Sequence, residues 1–211
     1  RSRVALKVEK ILKRLLDILG SFCGLLVLIP LTIGVWIANK LSKDNGPIFY
    51  TQERIGQNGE IFKMYKYRSM VVGADEKLNK YLEENEEARA EYKKYKKLKN
   101  DPRITKIGKI LRKTSLDEFP QFINVLKGEM SLVGPRPYMP KEKEEINGFF
   151  KYITSCKPGV TGLWQTRGRS NTTFTDRLTM DMEYYYNHTL KMDIKLLYKT
   201  VENVIKKEGA I

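Results

Sequence analysis

Two adjacent carboxylates, Asp117 and Glu118, lie in the segment TSLDEFPQ between Thr114 and Gln121. Pro120 is easily accommodated only in the first turn of a helix, so the spacing predicts a helix starting near Ser115 to Asp117. Both acids then stand beside backbone N–H groups that lack intrahelical partners. One reading is structural: Ser115-x-x-Glu118 matches a capping box, and acids in a first turn stabilise a helix through its dipole. The other is chemical. Arg112 and Lys113 precede the pair, and Arg136 follows between Pro135 and Pro137, whose rings stiffen the backbone presenting it. Carboxylates among fixed cations and helix-start amides make a site for a phosphate with a divalent metal. Two neighbouring acids there can divide the labour, one binding the metal and the other attacking phosphorus. On this reading the helix start keeps the attacker ionised.

Other segments offer recognition. The stretch from Lys157 to Phe174, KPGVTGLWQTRGRSNTTF, reads as a tight exposed loop because of its glycines and Pro158. Within it Trp164 offers stacking, Gln165 an amide, and Arg167 and Arg169 phosphate pairing; a buried Trp that pins the loop is the structural alternative. Thr172 and Thr173 ahead of Asp176 read as caps of the next helix. Lys66 and Arg68 share one face of a β-rich run, either as a solvated edge or as one wall of an anion site.

The elements that must position these residues are legible in outline. Runs Ile48 to Glu53 and Ile61 to Arg68 flank a turn containing Asn58-Gly59, a strong hairpin signal. A short amphipathic helix over roughly Ile104 to Lys113 leads into the acid pair. Residues 75–99 run from Glu-rich to Lys-rich, which suits helix dipoles, with Leu78, Tyr81, Leu82, Ala88, Tyr92, Tyr95 and Leu98 as an apolar stripe. They predict an exposed helix or helical pair packed on the domain, its basic end within reach of lipid phosphates. Leu190, Ile194, Leu197, Val201, Val204 and Ile205 recur at helical spacing, an amphipathic helix that covers a core or lies in a membrane interface.

Between Asp17 and Lys40 stand 22 residues without a formal charge, long enough to span a bilayer. The run is too long for a cleavable signal and carries no small-x-small cleavage site. Pro30 near its middle deletes a backbone hydrogen bond, so a kink or break is expected there. Basic residues flank both ends, from Arg1 to Arg14 and at Lys40 and Lys43, and basic flanks stay on the cytoplasmic side. Re-entry to the same face satisfies both flanks; a bitopic anchor and a buried core helix are the alternatives. Residues 1–44 thus read as a membrane-associated unit and 45–211 as a cytosolic catalytic domain.

Composition narrows the partners. The 211 residues carry 39 Lys plus Arg against 25 Asp plus Glu, a net charge of +14, which points to nucleic acid, anionic lipid headgroups or phosphorylated substrates. Two cysteines and one histidine exclude a disulfide framework, a zinc quartet and any site of several imidazoles. Catalysis must rest on carboxylates, hydroxyls or a bound metal. A chain beginning at Arg is expected to be part of something longer.

The motifs LRKTSLDEFPQ (Leu111 to Gln121), SLVGPRP (Ser131 to Pro137), KPGVTG (Lys157 to Gly162), QERIG (Gln52 to Gly56) and KMYKYRSM (Lys63 to Met70) together resemble the bacterial sugar transferases, the monotopic phosphoglycosyl transferases. The resemblance runs in order from about Lys13 to Lys207. It implies a mixed, helix-rich α/β fold with a re-entrant membrane helix broken at Pro30 and interfacial amphipathic helices. It implies transfer of a sugar 1-phosphate from a UDP-sugar to undecaprenyl phosphate, with release of UMP, at the cytoplasmic face of the bacterial inner membrane. By match Asp117 is the nucleophile and Glu118 the magnesium ligand. Arg112 and Arg136 become phosphate binders, with Lys66, Arg68, Gln165, Arg169 and Asp181 as further binding residues. Implied partners are the UDP-sugar, undecaprenyl phosphate and anionic membrane lipids, without nucleic acid; a homo-oligomer is left open. Two departures stand out. Smaller relatives carry Ser before the breaking proline where this chain has Ile29, so hydroxyl help must come from elsewhere. The charged stretch over 75–99 resembles the large hexose-1-phosphate branch, for which glucose or galactose is the expected sugar.

Overall fold

The computed structural model describes residues 2–167 and 172–206. Helix α1 (Arg3–Leu41) opens on Ser2, whose hydroxyl accepts from Ala5 N at 3.2 Å. Its backbone stays helical through Pro30. Asp17, Ser21, Gly24, Leu28, Val35 and Asn39 form one buried stripe at helical spacing, and the other faces are apolar and exposed. Gly20 and Gly24 let the helix approach closely, because a Cβ at either would overlap Leu132 or Phe122. Pro30 is thus compatible with an unbroken helix, and the hydroxyl near it belongs to Thr32. Thr32 Oγ1 donates to Leu28 O at 2.7 Å and lies 2.7 Å from the hydroxyl of the buried Tyr67.

Strands β1 (Phe49–Ile55) and β2 (Ile61–Tyr67) form the expected antiparallel hairpin, with Phe49 opposite Tyr67 and Ile55 opposite Ile61. Asn58 and Gly59 supply the positive φ that the turn needs, at 58° and 81°. The charged stretch forms the expected helical pair, α2 (Ala74–Glu84) and α3 (Glu86–Tyr95), closed by a small core of Leu78, Ala88 and Leu98. Helix α4 (Lys106–Lys113) starts slightly later than its periodicity suggests because Thr105 caps it, accepting from Gly108 N at 2.9 Å.

The acid pair departs from its expected setting. Leu116, Asp117 and Glu118 form one 3-10 turn, and the helix proper, α5 (Gln121–Lys127), starts after Pro120. No capping box forms at Ser115. Its φ of 57° lies in the left-handed region, and its side chain makes no cap hydrogen bond. Short strand β3 (Ser131–Val133) then leads through two short helices, α6 (Lys143–Ile146) and α7 (Phe150–Ile153), to β4 (Gly159–Thr161), which pairs parallel with β3. Here the sequence reading of an exposed loop is corrected: Gly159, Thr161, Gly162 and Leu163 are buried. The glycines serve close backbone packing, since a Cβ at Gly159 would overlap the Gly134 backbone.

Helix α8 (Leu163–Arg167) follows, then α9 (Phe174–Asn187) and α10 (Leu190–Ile205). Thr173 and Asp176 cap α9 reciprocally, as expected. The main core packs β2, α5, β3, α8, α9 and α10 together around Met64, Val125, Met130, Leu163 and Tyr184. On α10 the buried side is Asp193, Leu196 and Asn203, while Ile194, Val201, Val204 and Ile205 of the predicted stripe are exposed. Of that stripe Leu197 packs against the main core, so the stripe is divided between core and exposed surface. Buried Asp193 takes Lys13 Nζ at 2.6 Å and the Tyr184 hydroxyl at 2.8 Å, which turns the polar side of α10 inward.

Candidate active site

Four elements build the surroundings of the acid pair, and a fifth joins them through α8. The 3-10 turn brings Asp117 and Glu118; β2 brings Lys66; the end of α4 brings Arg112; α8 brings Trp164 and Gln165; the loop after β3 brings Arg136. Lys66 Nζ stands 3.6 Å from Glu118 Oε1, and Gln165 Nε2 donates to Glu118 Oε2 at 3.3 Å. One residue earlier on α8, Trp164 stacks on the Arg136 guanidinium at 5.6 Å, with Tyr138 5.8 Å away on the same loop. Helix α8 is therefore the bridge between the acid pair and Arg136.

Asp117 is buried, and burial pushes its carboxyl up to about 6. Lys66 opposes the shift, Glu118 adds to it, and Arg112 and the residue's own N–H oppose it. The expected help of the helix start in keeping this acid ionised is opposed by desolvation, which outweighs the neighbouring cations and raises the carboxyl.

The remaining sequence candidates fall in different places. Asp181 is fully buried beneath the Arg136 loop, where its two oxygens accept Arg136 N at 3.2 Å each and Oδ2 accepts the Tyr138 hydroxyl at 2.5 Å. It positions Arg136. Arg68 sits at the junction between α1 and β1, donating to Pro47 O at 2.6 Å, Met70 O at 3.1 Å and Asp44 Oδ1 at 2.7 Å. Those contacts tie down the chain after α1, away from the acid pair and on a different side chain set from Lys66. Arg169 lies outside the described residues.

A family model described as bacterial sugar transferase matches residues 8–207. The chain belongs to the bacterial sugar transferase family. It is 45% identical over 210 residues to the undecaprenyl-phosphate galactose phosphotransferase of Salmonella typhimurium, covering 100% of this chain and 44% of that protein. It is 39% identical over 198 residues to the exopolysaccharide production protein ExoY of Rhizobium meliloti, covering 94% of this chain and 87% of that one. Identity to the UDP-glucose:undecaprenyl-phosphate glucose-1-phosphate transferase of Escherichia coli is 37% over 202 residues, covering 92% and 40%. The chain thus spans less than half the length of the Salmonella and Escherichia relatives.

Within this member of the family, several site-building residues escape a reading by motif chemistry. Asn124 on α5 is fully buried; its Oδ1 accepts Tyr65 N at 3.0 Å and its Nδ2 donates to Lys63 O at 2.8 Å. That clamp sets the acid turn against the strand carrying Lys66. Buried Arg54 on β1 donates to Pro137 O at 2.7 Å and Gln52 Oε1 at 2.5 Å, supporting the Arg136 loop from below. The signal for Arg54 was an arginine at an inward strand position within QERIG. Among the described residues no group of three or more His, Cys, Asp or Glu gathers as a self-contained metal cage. The adjacent carboxylates are instead a donor set suited to a hard cation shared with phosphate oxygens, since magnesium is commonly held by one or two carboxylates plus substrate phosphates.

Proposed function

We propose that this chain is the catalytic part of a phosphoglycosyl transferase that moves a sugar 1-phosphate from a UDP-sugar to undecaprenyl phosphate and releases UMP. The product would start assembly of a capsule, exopolysaccharide or similar surface glycan. The observation carrying this reading is the buried Asp117 carboxyl beside Glu118, among Lys66, Arg112 and Gln165, in a chain of this family. A carboxyl raised only to about 6 is still mostly ionised at neutral pH, and shielding from water leaves it a better nucleophile.

An Asp117 oxygen attacks the β-phosphorus of the UDP-sugar; the bond from phosphorus to the UMP oxygen breaks, and its electron pair leaves with UMP. An oxygen of undecaprenyl phosphate then attacks the phosphorus of the resulting acyl phosphate and expels the Asp117 carboxylate. Two displacements imply ping-pong kinetics. Arg112 and Arg136 neutralise the non-bridging oxygens, while Lys66 and Gln165 hold Glu118 in place. Glu118 would hold a magnesium ion, which when bound offsets the charge of the diphosphate.

The same proposal extends to placement. Residues 1–44 serve as the membrane unit and 45–211 as the catalytic unit on the cytoplasmic face of the bacterial inner membrane. A re-entrant course of α1, bending at Pro30 under the lipid environment, is supported by the tethering of both its ends to one folded body. Near its start Lys13 binds Asp193, Arg14 donates to Val125 O at 2.7 Å, and Asp17 accepts Leu132 N at 2.9 Å. Just past its end Asp44 binds Arg68 at 2.7 Å. A straight crossing would separate these anchors by a hydrocarbon core of about 30 Å. Exposed Phe22, Leu26, Ile29, Ile33 and Trp36 on α1, with Ile194, Val201 and Ile205 on α10, supply the lipid-facing surface. Basic residues around it suit anionic headgroups.

The test is a quench experiment with magnesium and sugar-labelled UDP-galactose or UDP-glucose, omitting the lipid. Label is expected on the peptide containing Asp117 and is expected to vanish in Asp117→Asn. Product formation without any adduct, through sequential kinetics, would hand the attack to the lipid phosphate directly.

A further inference from the structure

The turn carrying the acid pair and the strand carrying Lys66 rest on one stretch of the long apolar helix. Leu28, Val35, Tyr67 and Leu111 form a buried cluster, and Leu25, Leu31, Leu116 and Phe119 pack against it. Leu116 and Phe119 flank Asp117 and Glu118, so the acid turn leans on the part of α1 that contains Pro30. Tyr67 ends β2 next to Lys66, and successive side chains on a strand point to opposite faces. Lys66 accordingly reaches toward Glu118 Oε1, at 3.6 Å, while Tyr67 turns to α1 and is only 1% exposed.

Most of these contacts are apolar, and apolar contacts have no preferred direction. The directional one is made by the Tyr67 hydroxyl. It lies 2.7 Å from Thr32 Oγ1 and 3.5 Å from Leu28 O, and Thr32 Oγ1 itself donates to Leu28 O at 2.7 Å. With the threonine proton committed to that carbonyl, Thr32 accepts from Tyr67. Leu28 and Thr32 stand two residues to either side of Pro30, so the hydroxyl pair spans the turn from which proline removes a backbone donor. A threonine bonded to the carbonyl four residues back also favours a bend in its helix. The Lys66 end of β2 is thereby held to α1 at the turn that Pro30 weakens.

We propose that Thr32 and Tyr67 are positioning residues of the transfer reaction: their hydroxyl contact registers β2 against α1 and so sets Lys66 on Glu118, beside Asp117. The Tyr67 hydroxyl is enclosed between α1 and β2, and it acts through Lys66 and the acid turn rather than on substrate. Packing alone does not call for it. The Tyr67 ring stacks on Phe49 at 5.4 Å and lies in the apolar cluster, where a phenylalanine would fill the same space. What the hydroxyl adds is direction, since a hydrogen bond between hydroxyls confines its two oxygens to a range of about 0.5 Å. The assignment rests on the transferase reading and adds to it a link between the course of α1 at Pro30 and the geometry of the acid pair.

The test uses the full chain in lipid nanodiscs, with Tyr67→Phe, Thr32→Val, the double variant and Thr32→Ser, and with Tyr198→Phe on the exposed side of α10 as a control. UMP release is followed with UDP-galactose or UDP-glucose and undecaprenyl phosphate, giving kcat and both KM values, and melting temperatures are recorded alongside. Loss of the hydrogen bond predicts a kcat lowered about three- to tenfold in Tyr67→Phe and in Thr32→Val, with both KM values within about twofold of wild type. The double variant is expected to be no slower than the slower single one, because the two share one contact. Thr32→Ser is expected to restore most of the rate, and Tyr198→Phe to be silent. Unchanged kcat in either single variant overturns the proposal, whether or not the melting temperature falls, as does a double variant whose loss is the product of the single losses. Acylation of Lys66 by a water-soluble amine reagent, read by peptide mass spectrometry, needs no turnover and is expected to quicken by a similar factor in Tyr67→Phe as Lys66 leaves Glu118. If the wild type releases no UMP from either donor, the transferase reading fails, while faster Lys66 labelling still upholds the positioning and unchanged labelling overturns it.

Discussion

Asp181 shows how one side chain can govern a site it does not enter. Burial pushes its carboxyl up to about 7, against the opposing pull of the Tyr138 hydroxyl, the Arg136 N–H and the charges of Arg136 and Arg177. The folded state therefore binds this proton more tightly than an unfolded chain, whose aspartate titrates near 3.8. The stability contributed by the group is full below about 3.8 and is lost as pH rises through about 7. Asp181→Asn, which cannot titrate, is expected to be less stable than wild type at pH 5 and to gain on it by pH 8. The relative gain should be on the order of 2–4 kcal/mol. Melting temperatures of both proteins in detergent across that range are the check; a difference independent of pH would show that the carboxyl does not titrate there. Of the candidate site residues, Asp117 and Glu118 were legible from their own motif, whereas Lys66 and Gln165 were marked as binding residues only through the resemblance to the family. The positioning role of Asp181 was not legible, since a carboxylate reads the same in sequence whether it faces substrate or a backbone amide.

Among the elements, the parallel pair β3–β4 does most to present Arg136. The two strands meet through glycine, with Gly134 N donating to Thr161 O at 3.0 Å and Gly159 N to Pro135 O at 2.8 Å. Gly159→Ala would drive a methyl into the Gly134 backbone, whereas Gly148→Ala meets nothing within 4 Å. Overpacking of this kind costs about 1–3 kcal/mol or more when backbone must move. Gly159→Ala is thus expected to lower the melting temperature by several degrees and to depress UMP release further than its stability loss explains, with Gly148→Ala near wild type in both. Equal behaviour of the two variants would remove the β3–β4 contact from the account of Arg136. The hairpin, the charged helical pair and α10 were visible as elements because each carries its period in its own residues. The 3-10 turn under Asp117 was not, because the left-handed Ser115 and the late start of α5 are set by packing against β2.

At the scale of the whole molecule, the decisive feature is that both ends of the long apolar helix are tied to one body. Cysteine introduced at position 7 or 43, in a Cys23→Ser, Cys156→Ser background, is expected to react with a membrane-permeant reagent and to be protected from an impermeant one in intact cells. Labelling of position 7 alone from outside would establish a straight crossing. Pro30→Leu is expected to shift the helix toward that straight course, since it restores the missing backbone hydrogen bond. What the sequence determined by itself was local: the apolar run, the periodic helices, the turn chemistry of Asn58-Gly59, and the acid pair among arginines. Each follows from residues adjacent along the chain, where period, charge and motif act directly. Tertiary structure alone decided which side of α10 is buried, that Arg68 braces the chain after α1, and that Asp181 holds the Arg136 backbone. Those outcomes depend on contacts between residues far apart in sequence, whose free energies are settled only when the elements pack and water leaves between them.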